Sequence, residues 1–167
     1  MTTVRRLAFI SAIVLCAGTV QAQTQATASE TAQQVMSTNP FGDLLSWLNA
    51  EYERTLDDAT TWGVSASILK SDYASASMFV RWYPAHTVLD GFYLGAHAGI
   101  YQFQEYGRRG ETVPGAGIDI GRAWLLGPAR RTSLSLGFGV TRRIGSTGGA
   151  APDAWPSVRL INVGMVF

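Results

Sequence analysis

Cysteine and lysine are almost missing from this chain of 167 residues. Cys16 is the only cysteine and Lys70 the only lysine, and charged residues make up 15% of the sequence. A single thiol excludes an intramolecular disulfide framework and gives no support to a thiolate metal site or a cysteine nucleophile. Soluble domains usually carry about 25% charged residues. The low charge therefore predicts that much of the surface faces something other than water.

The charges that remain are nearly balanced, with 13 basic residues against 12 acidic ones. They form no basic stripe of the kind that nucleic-acid binding requires, so we expect no nucleic-acid partner. The two histidines, His86 and His97, lack paired-ligand spacing, and the sequence predicts no metal site. The glycines of segment 145–149 lack the strand-to-helix context of a phosphate-binding loop, and we expect no cofactor.

Only one long apolar run occurs, and it lies at the N-terminus. Arg5 and Arg6 precede an apolar stretch over 7–20, and Val20-Gln21-Ala22 supplies the small residues of a cleavage site. A membrane-spanning helix needs about 20 apolar residues, whereas this run gives way to Gln, Thr and Ser after about 14. We therefore predict a cleavable signal peptide at 1–22, a flexible polar segment at 23–34 and one domain at 35–167.

In the rest of the chain, apolar side chains recur at every second residue. Bulky apolar residues alternate with Gly and Ser from Trp62 to Ile68, and similar alternation surrounds Met78, Leu94 and Leu136. A period of two indicates β-strands, since a helix would space its apolar face by three or four residues. Turn-forming segments separate seven predicted strands, at 45–55, 61–70, 73–83, 91–103, 114–126, 131–142 and 157–167.

The second face of these strands decides between two kinds of barrel. In a soluble barrel the bulky apolar face is the core, whereas in an outer-membrane barrel it meets lipid and the other face lines the interior. Here the second face is largely Gly and Ser, as at Ser65, Ser77 and Ser135, which suits the narrow interior of eight strands. We therefore predict an all-β, closed, antiparallel, up-and-down transmembrane barrel. The even strand number of such barrels requires an eighth strand near Thr31 to Phe41, turning at Gly42-Asp43.

Aromatic residues and connection lengths favour the same orientation. Connections over 104–112 and 142–156 are the longest, as expected for extracellular loops. Arg122 and Arg159 have lipid-facing parity, so each either reaches the headgroups or is turned inward by a bulge. Five aromatic residues fall at periplasmic strand ends on the apolar face and predict an aromatic girdle: Trp62, Trp82, Phe92, Trp124 and Phe167.

Several short patches, taken in their order along the chain, resemble a family of small bacterial outer-membrane barrels without an assigned function. They are Asn39-Pro40-Phe41-Gly42, Glu51-Tyr52-Glu53-Arg54, Arg81-Trp82-Tyr83-Pro84, Gly91-Phe92-Tyr93-Leu94-Gly95, Gly121-Arg122-Ala123-Trp124 and the ending Arg159 to Phe167. The resemblance covers most of the chain from about Asn39 onward. It implies an eight-stranded OmpA- or OmpX-like barrel of a Gram-negative bacterium, with a porin-like fold, but no activity. The terminal Phe167 resembles the C-terminal signal that the barrel-assembly machinery recognises.

A small set of polar residues is predicted, from the alternation of side chains, to face the interior of the barrel. Arg81 and either Glu51 or Glu53 lie on strands flanking the one that carries Gly63, whose missing side chain leaves room between them. We predict an ion pair in the lumen here. Its simplest role is to neutralise charge in a closed interior, because buried charges need partners.

The same parity places Ser77, His97 and Asp119 inward on adjacent strands. A nucleophile, a base and an orienting carboxylate would define acyl-transfer chemistry. A histidine bonded to an aspartate in a polar core is the commoner meaning. Outer-membrane lipid A deacylases of similar size present His and Ser two residues apart on one strand, whereas here Gly99 stands two residues after His97.

The sequence therefore favours a non-enzymatic outer-membrane barrel with a structural or surface-interaction role. Its expected surroundings are outer-membrane lipid and lipopolysaccharide, and the expected exposed contacts are Arg108, Arg109, Glu111 and Trp155. The alternative is a lipid-modifying enzyme, a lipid A acyl hydrolase or transferase, that uses the three inward residues. A narrow pore fits poorly because ion pairs would plug so small a barrel.

Overall fold

The computed structural model describes residues 33–41, 46–70, 72–104, 111–145 and 152–167, except for the side chain of Leu160. The predicted signal peptide, nearly all of the predicted flexible segment and the turn at Gly42-Asp43 lie outside these residues. Within them the structure is all-β. The same residues contain no helix that is long and apolar enough to span a membrane.

Eight antiparallel strands follow one another around a closed barrel, each paired with its neighbours in the chain, and the last strand pairs with the first. The predicted eighth strand is confirmed, although it spans only five residues. The strands are β1 (Gln34–Thr38), β2 (Trp47–Thr55), β3 (Thr60–Leu69), β4 (Tyr73–Trp82), β5 (Gly91–Phe103), β6 (Glu111–Leu126), β7 (Thr132–Arg143) and β8 (Ala154–Val166).

The alternation of side chains sets which face of the sheet lies inside the barrel. Met78 is 60% exposed and Leu136 46% exposed, whereas Ser135 is only 7% exposed. Ser65 and Ser77 are half-buried and face each other across the β3–β4 ladder inside the barrel. The bulky apolar stripe therefore lies on the outside, as the small residues of the other face predict. The five aromatic residues of the predicted girdle lie on this outer face, at the end of the barrel where segments 56–59, 83–90 and 127–131 connect the strands.

Two strands begin earlier than the sequence predicts. β6 begins at Glu111 and continues through Pro114, and β8 begins at Ala154 and continues through Pro156. The turn-forming segments placed Pro114 at the first residue of one predicted strand and Pro156 just before the other. Each lies within the first four residues of its strand, where a missing donor is tolerated. The Pro114 carbonyl still accepts a hydrogen bond from the Ile144 amide at 2.9 Å.

A β-bulge in β8 decides the orientation of Arg159. Ser135 pairs with Asn162 and Gly137 with Arg159, so two steps along β7 correspond to three along β8. The extra residue reverses the parity of the strand. Arg159 therefore faces the interior even though Ile161, two residues later, is exposed on the outside.

Arg122 keeps the outward parity that the sequence assigned to it. Its side chain is exposed, and its guanidinium carbon lies 5.4 Å from the centroid of the Trp124 ring. Cation–π contact of this kind stabilises a charged head beside an aromatic face. Both residues lie near the C-terminal end of β6, at the same end of the barrel as the other outward aromatic residues.

Candidate functional site

The interior of the barrel divides into two halves along its axis. The half near the connections at 56–59, 83–90 and 127–131 is filled by side chains, and three of them, Arg81, Tyr83 and Tyr93, are at most 1% exposed. The opposite half contains a cavity of about 530 Å³. We call the filled half the plug and the hollow half the cup.

Arg81 is the centre of the plug. Its Nη2 donates to Oε1 of Glu51 at 3.1 Å, and its Nη1 donates to Oε2 of Glu53. The structure thus brings together the predicted ion pair, with both glutamates engaged at once. Charge-assisted hydrogen bonds of this kind are what make a buried guanidinium tolerable.

Further side chains satisfy the same two glutamates. The Thr61 hydroxyl donates to Oε1 of Glu53 at 2.5 Å, and the Tyr83 hydroxyl donates to the same atom at 3.3 Å. Arg159 donates to Oε2 of Glu51. The sequence left open whether a bulge turns Arg159 inward, and the structure shows that it does, but sequence reasoning did not identify Arg159 as a partner of Glu51.

The role assigned to Gly63 was wrong in its detail. A Cβ there would collide with the Phe79 ring and with the carbonyl oxygen of Tyr52, so the vacant space holds Phe79 and not the ion pair. The Arg81 guanidinium then lies over that ring, with 3.9 Å between its central carbon and the ring centroid. The glycine therefore positions the aromatic surface on which the ion pair rests.

The predicted triad is only partly assembled. His97 Nδ1 lies 3.2 Å from Oδ1 of Asp119. The hydroxyl at the other ring nitrogen belongs to Thr141, with Oγ1 at 2.9 Å from Nε2. Ser77 pairs with Gly99, one inward position away from His97, and its Oγ lies 2.8 Å from that of Ser65.

Gly117 explains why His97 reaches Thr141. Gly117 lies between them on β6, paired with His97 on one side and Thr141 on the other, and a Cβ there would come within 2.6 Å of His97 Nε2. A glycine between two inward polar residues was the sequence signal for this contact. Thr141 is fully buried, so the arrangement offers no accessible nucleophile and is chemically a hydrogen-bonded histidine in a polar core.

The cup is lined by hydroxyls and aromatic rings. Its polar wall comes from β2, β3, β4 and β8, and Asp119, His97 and Arg159 form its floor above the plug. The wall residues are Asn49, Ser65, Ser67, Ser75, Ser77 and Ser157. Eight strands leave an interior that side chains can fill. Here the small size of these residues keeps this half hollow.

Trp155 was predicted to be an exposed loop contact, and this was wrong. It is 9% exposed and packs edge-on against Tyr101 and Phe103, with ring centroids 5.0 Å apart in both pairs. The prediction began the last strand after Pro156, which left Trp155 in a loop. Because β8 begins at Ala154, Trp155 shares the inward face with Ser157 and Arg159.

The other predicted loop contacts divide between described and undescribed residues. Glu111 lies at the start of β6 and accepts a hydrogen bond from Nη2 of Arg143 at 2.6 Å. Arg108 and Arg109 lie outside the described residues. Within the described residues, no three His, Cys, Asp or Glu side chains are grouped closely enough to hold a metal ion.

The chain was also compared with protein-family models, with characterised proteins and with solved structures, and none of the three comparisons found a match.

Proposed function

We propose that this chain is a transmembrane β-barrel of the bacterial outer membrane, with a structural or surface-interaction role and no enzymatic activity. The observation that carries the proposal is the belt of large apolar side chains on the outer face of the strands. Val64, Met78, Ile118 and Phe138 are between 44% and 66% exposed. Soluble monomers rarely expose contiguous apolar patches larger than a few hundred Å².

The interior supports the same placement. Charged residues are gathered inside, where Arg81, Glu51, Glu53 and Arg159 neutralise one another. Apolar residues out and polar residues in is the arrangement of transmembrane barrels and the reverse of soluble ones. The five outward aromatic residues at one end fit an aromatic girdle at a membrane interface.

The start of β1 and the last residue of the chain meet at the seam of the barrel. Phe167 exchanges backbone hydrogen bonds with Gln34, at 2.9 Å and 3.1 Å between nitrogen and oxygen. Its side chain is 60% exposed on the outer face. This position fits the proposal that Phe167 is recognised by the barrel-assembly machinery, with lipopolysaccharide and outer-membrane lipid as the surroundings of the folded protein.

The proposal is tested by membrane fractionation and by gel mobility. The protein is expected in the outer-membrane fraction, processed after Ala22, and should migrate faster before boiling than after it. Recovery in the soluble fraction, together with one mobility in both conditions, would reject the proposal. Planar-bilayer recordings should show no steady conductance, because the plug fills one half of the interior. A stable open channel would overturn the structural role.

The lipid-modifying alternative receives less support. His97 Nε2 is bonded to Thr141, which is buried, and Ser77 is bonded to Ser65. Lipid A from cells overexpressing the protein should keep its mass.

A further inference from the structure

The cup is a cavity that is not needed for the structural role proposed above or for the ion pairs of the plug. Its volume of about 530 Å³ falls in the range of about 300–1,000 Å³ typical of small-molecule sites. Its walls combine aromatic rings with a few convergent polar groups, which is the usual composition of such sites. A barrel whose interior served stability alone would gain by filling this space with larger side chains.

One edge of the cup is formed by a part of β8 that pairs with only one other described strand, β7. β8 pairs with β1 only from Val163 to Val166, because β1 ends at Thr38. Among the described residues, no strand pairs with the same edge of β8 from Ala154 to Asn162. Consecutive residues from Trp155 to Arg159 line the cavity, although only every second one has inward parity. The cavity therefore reaches the edge of the strand, where backbone N–H and C=O groups are within its wall.

The carboxylates on the floor already have hydrogen-bond partners. Glu51 accepts from both Arg81 and Arg159, and Oδ1 of Asp119 lies 3.2 Å from Nδ1 of His97. A charged ligand would have to displace these partners or lose its own hydration without compensation. An uncharged ligand rich in hydroxyl groups avoids that cost. It can also donate to carboxylates and accept from guanidinium and serine groups.

Several polar atoms of the residues that line the cup have no hydrogen-bond partner in the described part of the chain. Oγ of Ser157 and Nη1 of Arg159 are among them, and both are buried. Buried donors are ordinarily satisfied. Above them, Trp47, Tyr73, Phe103 and Trp155 line the upper wall with ring surfaces. The C–H face of a pyranose packs onto such rings while its hydroxyls reach the polar wall.

We propose that the cup binds an uncharged pyranose sugar, as a mono- or disaccharide, between the aromatic rings of Trp47 and Trp155 and the hydroxyls of Ser65 and Ser157. The site needs only the folded barrel and goes beyond the structural role proposed above. The sugar is either free in solution or part of a glycolipid. The unpaired edge of β8 would admit the sugar of a glycolipid from the side.

The test titrates purified protein in lipid nanodiscs, with its β-structure checked by circular dichroism. The probes are glucose, galactose, N-acetylglucosamine and maltose, with dodecanoate as an acyl-chain probe. Binding is followed by calorimetry and by tryptophan fluorescence, to which Trp47 and Trp155 would contribute. At least one sugar should bind saturably and dodecanoate should not. Saturable binding of dodecanoate without any sugar, or no saturable binding at all, would overturn the proposal.

Two variants and a control test whether the sugar binds in the cup. Ser65→Phe fills the cavity and should abolish binding. Ala98→Phe makes a comparable addition on the outer face of β5, where Ala98 is exposed, and should leave binding unchanged. Ser157→Ala removes one hydroxyl and should weaken binding about fivefold, the usual worth of one hydrogen bond. Unchanged affinity in both cup variants would place the sugar elsewhere and reject the site.

The source of the sugar is distinguished by a second pair of probes. Intact lipopolysaccharide in the nanodisc is compared with its deacylated oligosaccharide in solution. Competition of both with the bound sugar supports a site open to free sugar, whereas competition by the intact glycolipid alone supports lateral entry. Competition by neither leaves a free small sugar as the ligand, consistent with the chemistry of the cup.

Discussion

Arg159 of β8 donates a hydrogen bond to Glu51 of β2, and the two residues are 108 positions apart in the chain. Only the five residues of β1 separate the two strands in the barrel order. Arg159 lies outside the segment of β8 that pairs with β1, Val163 to Val166, so the contact links β8 to β2 through the interior of the barrel. Through Glu51 it continues to Arg81 and so joins β8 to the plug.

Removing Arg81, the central cation of the plug, should destabilise the fold. Arg81→Met leaves Glu51 and Glu53 buried with one or no cationic partner, and we expect a loss of about 3–5 kcal/mol in the free energy of unfolding. Urea unfolding in lipid vesicles, followed by tryptophan fluorescence, measures this. Arg122→Met is the matched control, since Arg122 is exposed, and it should change stability by about 0.5 kcal/mol or less. Equal effects of the two changes would argue against the buried network.

The Tyr93 ring occupies space left free by the missing side chains of Gly121 and Gly137. A Cβ at Gly137 would collide with the Tyr93 hydroxyl, so Gly137→Ala should destabilise the barrel by about 1–3 kcal/mol. In a Tyr93→Phe background the same change should cost less, because the obstructing oxygen is gone. A double-mutant cycle on unfolding free energies measures the difference. Strict additivity of the two changes would contradict the packing described for this ring.

The position of Asp57 gives one pH dependence. Its Oδ1 accepts a hydrogen bond from the Ala59 amide at 2.8 Å, which lowers the pKa of the carboxyl below 3.8. A carboxyl whose pKa is lower in the folded state stabilises the fold above the unfolded pKa, and this contribution is lost as pH falls through the folded value. Asp57→Ala should therefore lower the free energy of unfolding at neutral pH. It should also make the difference between the free energies of unfolding at neutral and acid pH smaller. If the free energy of unfolding depended on pH in the same way in the natural sequence and in Asp57→Ala, the proposed effect of this hydrogen bond would be contradicted.

The enzymatic alternative has its own prediction. Lipid A should have the same mass in cells that overexpress the protein, the His97→Ala variant or the Ser77→Ala variant, as read by mass spectrometry. His97→Ala should instead lower stability, because Asp119 and Thr141 lose their common partner. A mass change produced by the natural sequence and lost in His97→Ala would establish catalysis.

The features predicted correctly from the sequence are those that depend on neighbouring residues. Alternation of side chains is local, so parity placed Met78 and Leu136 on one face and Ser77 and Ser135 on the other, and the small residues of the second face predicted that it lies inside. The eighth strand followed from the even count of such barrels and not from its own pattern. It is correspondingly shorter than predicted.

The errors arose where contacts depend on register between strands. The β4–β5 register places Ser77 opposite Gly99, and Nε2 of His97 instead reaches across Gly117 to the hydroxyl of Thr141. The bulge in β8 settles the inward orientation of Arg159, which the sequence had left open. Neither feature changes the composition of a single strand. Trp155 was misplaced because Pro156 was taken as the end of a loop, although a proline early in a strand is compatible with pairing.

The central claim is that hydrocarbon surrounds the outer apolar face, and arginine substitutions at two depths test it most directly. Met78 lies in the middle of β4 and Gln102 near the end of β5, and both are exposed on the outside. In lipid vesicles, Met78→Arg should cost about 2–4 kcal/mol of unfolding free energy and Gln102→Arg about 0–1 kcal/mol. If water surrounded this face, both changes would lie within about 0.5 kcal/mol of zero, and that result would contradict a membrane-embedded barrel.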